Sequence, residues 1–176
     1  MRESRLGVQS EPENAFAWDI LSWALAYQNP PEATEAEKAA REAIRLNPSL
    51  GYAQYHLGRA LYMQKRFPEA MAAFDRCDEI SGNSDVANLG RAQALSAQNR
   101  YGEALSTMLK GRTVKTSNDF YWLSSFYAGN GDREKALTTL QKSFELGYRD
   151  FPAMNANPAF SSLRNDSRFQ ELLHTK

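Results

Sequence analysis

The residue types that carry chemistry are few in this sequence and poorly placed to act together. Its two histidines, His56 and His174, are too isolated to suggest a metal pair or a catalytic couple. Its one cysteine, Cys77, stands at a small-residue packing position, which suits a buried inert thiol better than a nucleophile. Glu69, Asp75, Asp78 and Glu79 read as the solvated face of a helix rather than as an acid–base pair. The segment from Gly90 to Ser96 lacks the second glycine and the lysine of a phosphate-binding loop. Lys110, Arg112 and Lys115 complement a helix end. Asn165-Asp166-Ser167 is a glycosylation triplet of a kind common by chance. No catalytic residue, metal site or cofactor is expected, so the chemistry left to this chain is recognition.

Bulk properties narrow the partner. The 176 residues carry 21 Lys and Arg against 21 Asp and Glu, so no net positive field attracts nucleic acid or anionic lipid. One cysteine allows no internal disulfide. A hydrophobic content of 42% supports a packed core, and no apolar run approaches the ~18 residues of a membrane span. The first ten residues have no apolar stretch of the secretory kind, and a cytoplasmic location is expected.

The elements that position any recognition surface are set by a repeat. Ala36, Ala70, Ala104 and Ala136 head aligned segments separated by 34, 34 and 32 positions. Four residues after each stand Ala40, Phe74, Met108 and Leu140, and seven after stand Ala43, Cys77, Gly111 and Ser143. This spacing puts each trio on one helical face. A second helix precedes each, clearest at Trp18-x-x-Leu21-Ser22-x-x-Leu25, Tyr55-x-Leu57-Gly58-x-x-Leu61 and Phe120-x-x-Leu123-Ser124-x-x-Tyr127. Breakers separate the two helices at Asn29-Pro30-Pro31, Gln64-Lys65-Arg66, Asn99-Arg100 and Gly129-Asn130-Gly131-Asp132; Asn47-Pro48 and Gly82-Asn83 separate units. Thr34 with Glu37 makes a capping-box pattern, and Pro68 suits a helix start.

A helix-turn-helix period of 34 with these blocks resembles the tetratricopeptide repeat (TPR) family over roughly residues 15–149. The resemblance implies an all-α, right-handed superhelical solenoid of four repeats, at about 15–50, 51–84, 85–116 and 117–149. Three departures stand out: two extra residues in the first turn, Arg91 where the family is usually apolar, and a link to the fourth unit two residues short. Residues 1–14 lack apolar periodicity and are expected as a flexible lead-in. Residues 150–176 are expected to cap the last repeat, with Phe160, Leu163, Phe169, Leu172 and Leu173 spaced for two short helices behind Asn157 and Asp166 as N-caps. This closing segment resembles that of many bacterial TPR proteins, some of which carry a kinase or a DNA-binding domain.

In the TPR architecture the first helix of each unit lines a concave groove. Helical spacing puts Phe16, Asp19, Ile20, Trp23 and Tyr27 on that face in the first unit, and Tyr52, Tyr55, His56, Arg59, Tyr62 and Met63 in the second. Val86, Leu89, Gly90 and Gln93 follow in the third, and Asn118, Tyr121, Trp122 and Ser125 in the fourth. The expected binding residues are Trp23, Tyr27, Tyr52, Tyr55, His56, Arg59, Tyr62, Tyr121 and Trp122, types that dominate binding hot spots. Repeats that hold the acidic tails of heat-shock chaperones use Lys, Asn, Asn, Lys and Arg where this chain has Asp19, Trp23, His56, Val86 and Gly90, so that subclass is not expected. The resemblance thus implies a non-enzymatic module that binds a peptide or protein segment in an aromatic groove, with weak salt dependence. The alternative it implies is a regulatory or sensing domain of a larger bacterial transcriptional regulator or kinase. Partners are expected to be proteins or peptides, without direct nucleic-acid or membrane binding, and solenoid end faces allow self-association.

Overall fold

The computed structural model describes residues 2–82, 84–110 and 114–174, all in helices and their connections, with no strand among them. Gly111, Arg112 and Asn83, singled out above, lie outside the described residues. The helices are α1 (Arg2–Ser10), α2 (Ala15–Tyr27), α3 (Ala33–Leu46), α4 (Gly51–Met63), α5 (Phe67–Ser81), α6 (Ser84–Ser96), α7 (Tyr101–Leu109), α8 (Ser117–Gly129), α9 (Arg133–Glu145), α10 (Phe151–Ala156) and α11 (Ser167–His174), with a 3-10 segment at Pro158–Leu163 before the last. They form two units, Met1–Ala94 and Leu95–Lys176.

The turns show why the period is kept. After the first helix of a pair the chain enters the left-handed region once, at Lys65 (φ 60°), Asn99 (φ 60°) and Gly131 (φ 85°). The next amide then reaches back to the helix, from Arg66 to the Leu61 carbonyl, Arg100 to Leu95 and Asp132 to Tyr127, at 2.9–3.0 Å. This is the six-to-one bond of a Schellman cap. The first pair makes the same closure from Glu32 to the Leu25 carbonyl at 2.9 Å, so its two extra residues bulge out without shifting the register.

Close helix approach explains the small residues. Ala36, Ala70, Ala104 and Ala136 are fully buried, as are Ala40, Phe74, Met108 and Leu140. In the first unit the Phe74 ring lies between α4 and α6, where both backbones approach it. A Cβ on either Gly58 or Gly90 would stand 2.5 Å from Phe74 Cε1. Arg91, the departure from the apolar pattern, lies along α5 instead of entering the core. It donates to Asp75 Oδ1 at 2.7 Å and Asp78 Oδ2 at 3.1 Å. Those two carboxylates are therefore engaged rather than simply solvated. Cys77 is buried, and burial pushes its thiol up, as suits an inert packing residue.

Two expectations are corrected here. Residues 2–10 are the helix α1, tied down by one buried side chain, Val8, in a cluster with Leu21 and Leu25, and by an Arg5–Glu32 ion pair at 3.1 Å. A single anchoring residue produces no periodicity for a sequence pattern to detect. The Thr34–Glu37 capping box does not form, because Glu32 is the N-cap of α3 and Thr34 lies inside the helix. Glu37 is buried and takes hydrogen bonds from Arg41 (2.7 Å), Arg66 (2.8 Å) and Gln64 (2.7 Å). Burial alone would raise its carboxyl, but these three donors outweigh it and hold the group below its ordinary value of 4.5. A lowered folded-state value means stability that is present above the unfolded value and lost as pH falls through the folded one. Glu37→Gln is expected to lower the melting midpoint at neutral pH, by the ~1.5–3 kcal/mol of a hydrogen bond to a charged group. The deficit should shrink as pH drops below 4.5. Melting curves of both forms from neutral to acid pH check this.

In the second unit, α8 and α9 pack as a hairpin and the C-terminal segment closes over them. Met154, Phe160, Leu163 and Phe169 are buried in one cluster with Tyr121, Leu137, Leu140 and Phe144. Three short elements make this cap, where two were expected. Asn157 and Asp166 cap as expected, accepting from the Ala159 and Arg168 amides at 3.0 and 2.9 Å. Arg133 pairs with Asp166, and Arg168 holds Glu134 at 2.6 and 3.1 Å, fastening the cap to α9.

Candidate functional site

α2 starts at a strong N-cap, the Asn14 side chain accepting from the Phe16 amide at 3.0 Å and the Ala17 amide at 3.4 Å. Leu21, Ser22, Leu25 and Ala26 are buried, and Ser22 Oγ donates to the Ala36 carbonyl at 2.8 Å, locking α2 to α3. That contact decides what the opposite side shows. Phe16, Ile20, Trp23 and Tyr27 recur at helical spacing and stay 59%, 53%, 51% and 51% exposed. Tyr52 of α4 is exposed to the same degree. Single exposed apolar residues are ordinary on protein surfaces, but a row of four large ones on one helix is an apolar patch and makes this face the candidate site. The Trp23 and Tyr27 rings lie 6.0 Å apart and tilted, a broken aromatic ledge rather than a closed stack.

α4 carries the polar side of the site. His56 Nδ1 donates to Asp19 Oδ1 at 2.6 Å, joining α4 to α2. Both residues are buried, which corrects their expected exposure. Two polar groups that bond each other across a helix interface satisfy each other there. The Tyr52 and Tyr55 rings flank the imidazole at 6.5 and 5.5 Å. One turn further along α4, the Arg59 guanidinium lies 5.3 Å from the Tyr27 ring centre and 5.5 Å from that of Tyr62. Arg59 Nη1 donates to Gln93 Oε1, so Gln93 is buried rather than exposed. Burial raises the Tyr62 hydroxyl, with the charge of Arg59 opposing.

The structure thus sorts the expected residues of the first unit. Trp23, Tyr27 and Tyr52 are open; Tyr55, Arg59 and Tyr62 are half-buried; His56 is covered. Gly90, expected on the same face, is buried against Phe74. In the second unit Tyr121 is buried, against expectation, because the cap takes it. Tyr148 stacks on it at 4.4 Å, and Asn157 Nδ2 donates to its hydroxyl at 3.1 Å. Ser125 is buried too, bonded to the Trp122 carbonyl at 2.8 Å, and Trp122 is half-buried against Phe126. Sequence spacing found the open stripe. It missed the Asp19–His56 and Arg59–Gln93 pairs, which join residues far apart in the chain and carry no local signal. Among the described residues no cluster of three metal-ligating side chains occurs, and no helix is long and apolar enough to cross a membrane.

Comparison with known proteins agrees with this geometry. Residues 21–85 match the family model of the tetratricopeptide repeat. No curated protein matches the chain as a sequence relative. Among solved structures the chain is similar to YrrB, a TPR protein with an unusual peptide-binding site, at 16% identity and a TM-score of 0.56, covering 96% of this chain and 88% of YrrB. It is also similar to MamA from Desulfovibrio magneticus RS-1, at 18% identity and a TM-score of 0.61, covering 90% of this chain and 93% of that one. At these identities the likeness is one of fold. Over residues 21–85 the chain carries a tetratricopeptide-repeat match, and its all-helical fold is that of the solved tetratricopeptide-repeat structures it resembles.

Proposed function

We propose that this protein is a protein-interaction module whose α2–α4 face takes up a segment of a partner protein. The observation that carries this is the exposed row Phe16, Ile20, Trp23 and Tyr27 with Tyr52 beside it. Four of these side chains sit on α2, which is capped by Asn14 and locked to α3 through Ser22, so they offer apolar area with little ordering cost on binding. TPR proteins generally serve as non-enzymatic scaffolds for protein contacts, and YrrB has a peptide-binding site on such a scaffold. Apolar rings dominate the face, so binding is expected to weaken only slightly with salt.

The test is a paired change that leaves the core intact. Trp23→Ala with Tyr27→Ala removes two half-exposed rings and should leave the melting midpoint near that of the wild type. Loss of even one hot-spot aromatic costs ~2 kcal/mol or more, so affinity for a partner recovered by the wild-type chain should fall by at least about 30-fold. Titration calorimetry with that purified partner measures it. A partner held equally well by the double variant places the binding site on another face.

A further inference from the structure

The surroundings of Arg59 set it apart from the other half-buried arginines. Three arginines among the described residues are half-buried: Arg59, Arg66 and Arg91. Arg66 binds Glu37 and Glu69, and Arg91 binds Asp75 and Asp78. Each therefore holds two carboxylates. Arg59 holds none among the described residues. Its one side-chain hydrogen bond among the described residues goes from Nη1 to the neutral amide of Gln93, and its Nε is buried without a partner. Its two ring neighbours, Tyr27 and Tyr62, shield the guanidinium faces and do not neutralise it. The one acid on α2 and α4, Asp19, is already engaged by His56. A guanidinium that is partly desolvated and uncompensated favours an anion, and its planar fork matches a carboxylate.

We propose that Arg59 is the acceptor for an aspartate or glutamate side chain of the partner segment, beside an apolar residue of that segment resting on Trp23 and Tyr27. This rests on the reading of the α2–α4 face as the binding site, and adds the partner's chemistry: an acidic–apolar stretch. The partner completes Arg59 as Glu37 and Glu69 complete Arg66. One ion pair within an apolar contact also keeps the salt dependence shallow.

The experiment pans a phage-displayed random peptide library, in which no peptide has a free C-terminal carboxylate, against three full-length chains: wild type, Arg59→Met and Trp23→Ala/Tyr27→Ala. Wild type is expected to enrich peptides pairing Asp or Glu with a neighbouring apolar or aromatic residue. The best of them should lose about ten-fold in affinity when its acid becomes Asn or Gln, the scale of a hydrogen bond to a charged group. Arg59→Met should show no such difference, and the double variant should bind none of these peptides. Acid enrichment that survives in Arg59→Met overturns the proposal and leaves the α2–α4 face standing. Peptides unaffected by the double variant overturn both. Self-association that Trp23→Ala/Tyr27→Ala abolishes would put a second copy on the stripe, and would also overturn it.

A ligand-free arm guards against misfolding of Arg59→Met. Gln93→Glu supplies the missing carboxylate from within, so it should raise the melting midpoint by about 3 °C and erase the acid preference of selected peptides. A lower midpoint with the preference intact contradicts an uncompensated Arg59.

Discussion

Phe74→Ala should remove about 3–5 kcal/mol of stability, enough to unfold the first unit in much of the population at physiological temperature. The side chain is fully buried and joins Ala40, Leu57, Leu61, Ala70, Ala73 and Ala87 in one cluster. Collapse into the space is limited, because two of the walls that face the ring are backbone. Gly58 on α4 and Gly90 on α6 have no side chain to move, and the helices that carry them are held by other contacts. The expected cost therefore lies toward the upper end for a phenylalanine deletion. The reverse insult at the same place should also be severe. Gly58→Ala places a Cβ 2.5 Å from the ring, so Phe74 must leave its rotamer or the helices must part. Urea unfolding of both variants checks the pair. A wild-type midpoint for either would mean that α4, α5 and α6 do not meet at this ring.

The second large effect is at the other end of the chain. A chain ending at residue 149 should lose the folded second unit, because α8 and α9 alone expose the apolar face that the cap covers. Met154, Phe160, Leu163 and Phe169 are each no more than 2% exposed. Burying a side chain of this size is worth ~1.5–3 kcal/mol, so together they exceed the margin by which a small unit is folded. The truncated chain is expected to bind a hydrophobic dye and to exchange the amides of α8 and α9 rapidly. Phe160→Ala, which keeps the chain length, should show the same trend at about 3–5 kcal/mol. Protected α8 amides in the truncated chain would show that the segment is an appendage rather than a cap.

How much of this was legible beforehand depends on the range of the interaction. The alanines at 36, 70, 104 and 136, the residues four positions on, and Ala43, Cys77 and Ser143 seven positions on recur within single helices, so spacing alone placed them inward. The α2 stripe was legible for the same reason. The turns at Lys65 and Asn99 were placed from the sequence, but their left-handed backbone was not, because neither is glycine and the conformation is imposed by the helices it joins. Thr34 and Glu37 looked like a cap in isolation, but Glu37 instead accepts from Arg41 on its own helix and from Arg66 and Gln64 of the following turn. Tyr121 had a groove residue's spacing, yet Tyr148 and Asn157 claimed it from beyond the last repeat.

By itself the sequence determined the repeat, the all-helical class and which face of each helix is apolar, because helical periodicity is local and every turn reads it independently. Only the tertiary structure decided which residues of an outward face stay outward. Asp19 and His56 meet across two helices, the cap covers Tyr121, and Arg59 keeps an uncompensated charge between Tyr27 and Tyr62. Apart from Tyr62, three positions from Arg59, the partners stand 27 to 37 positions away, where no local pattern reaches.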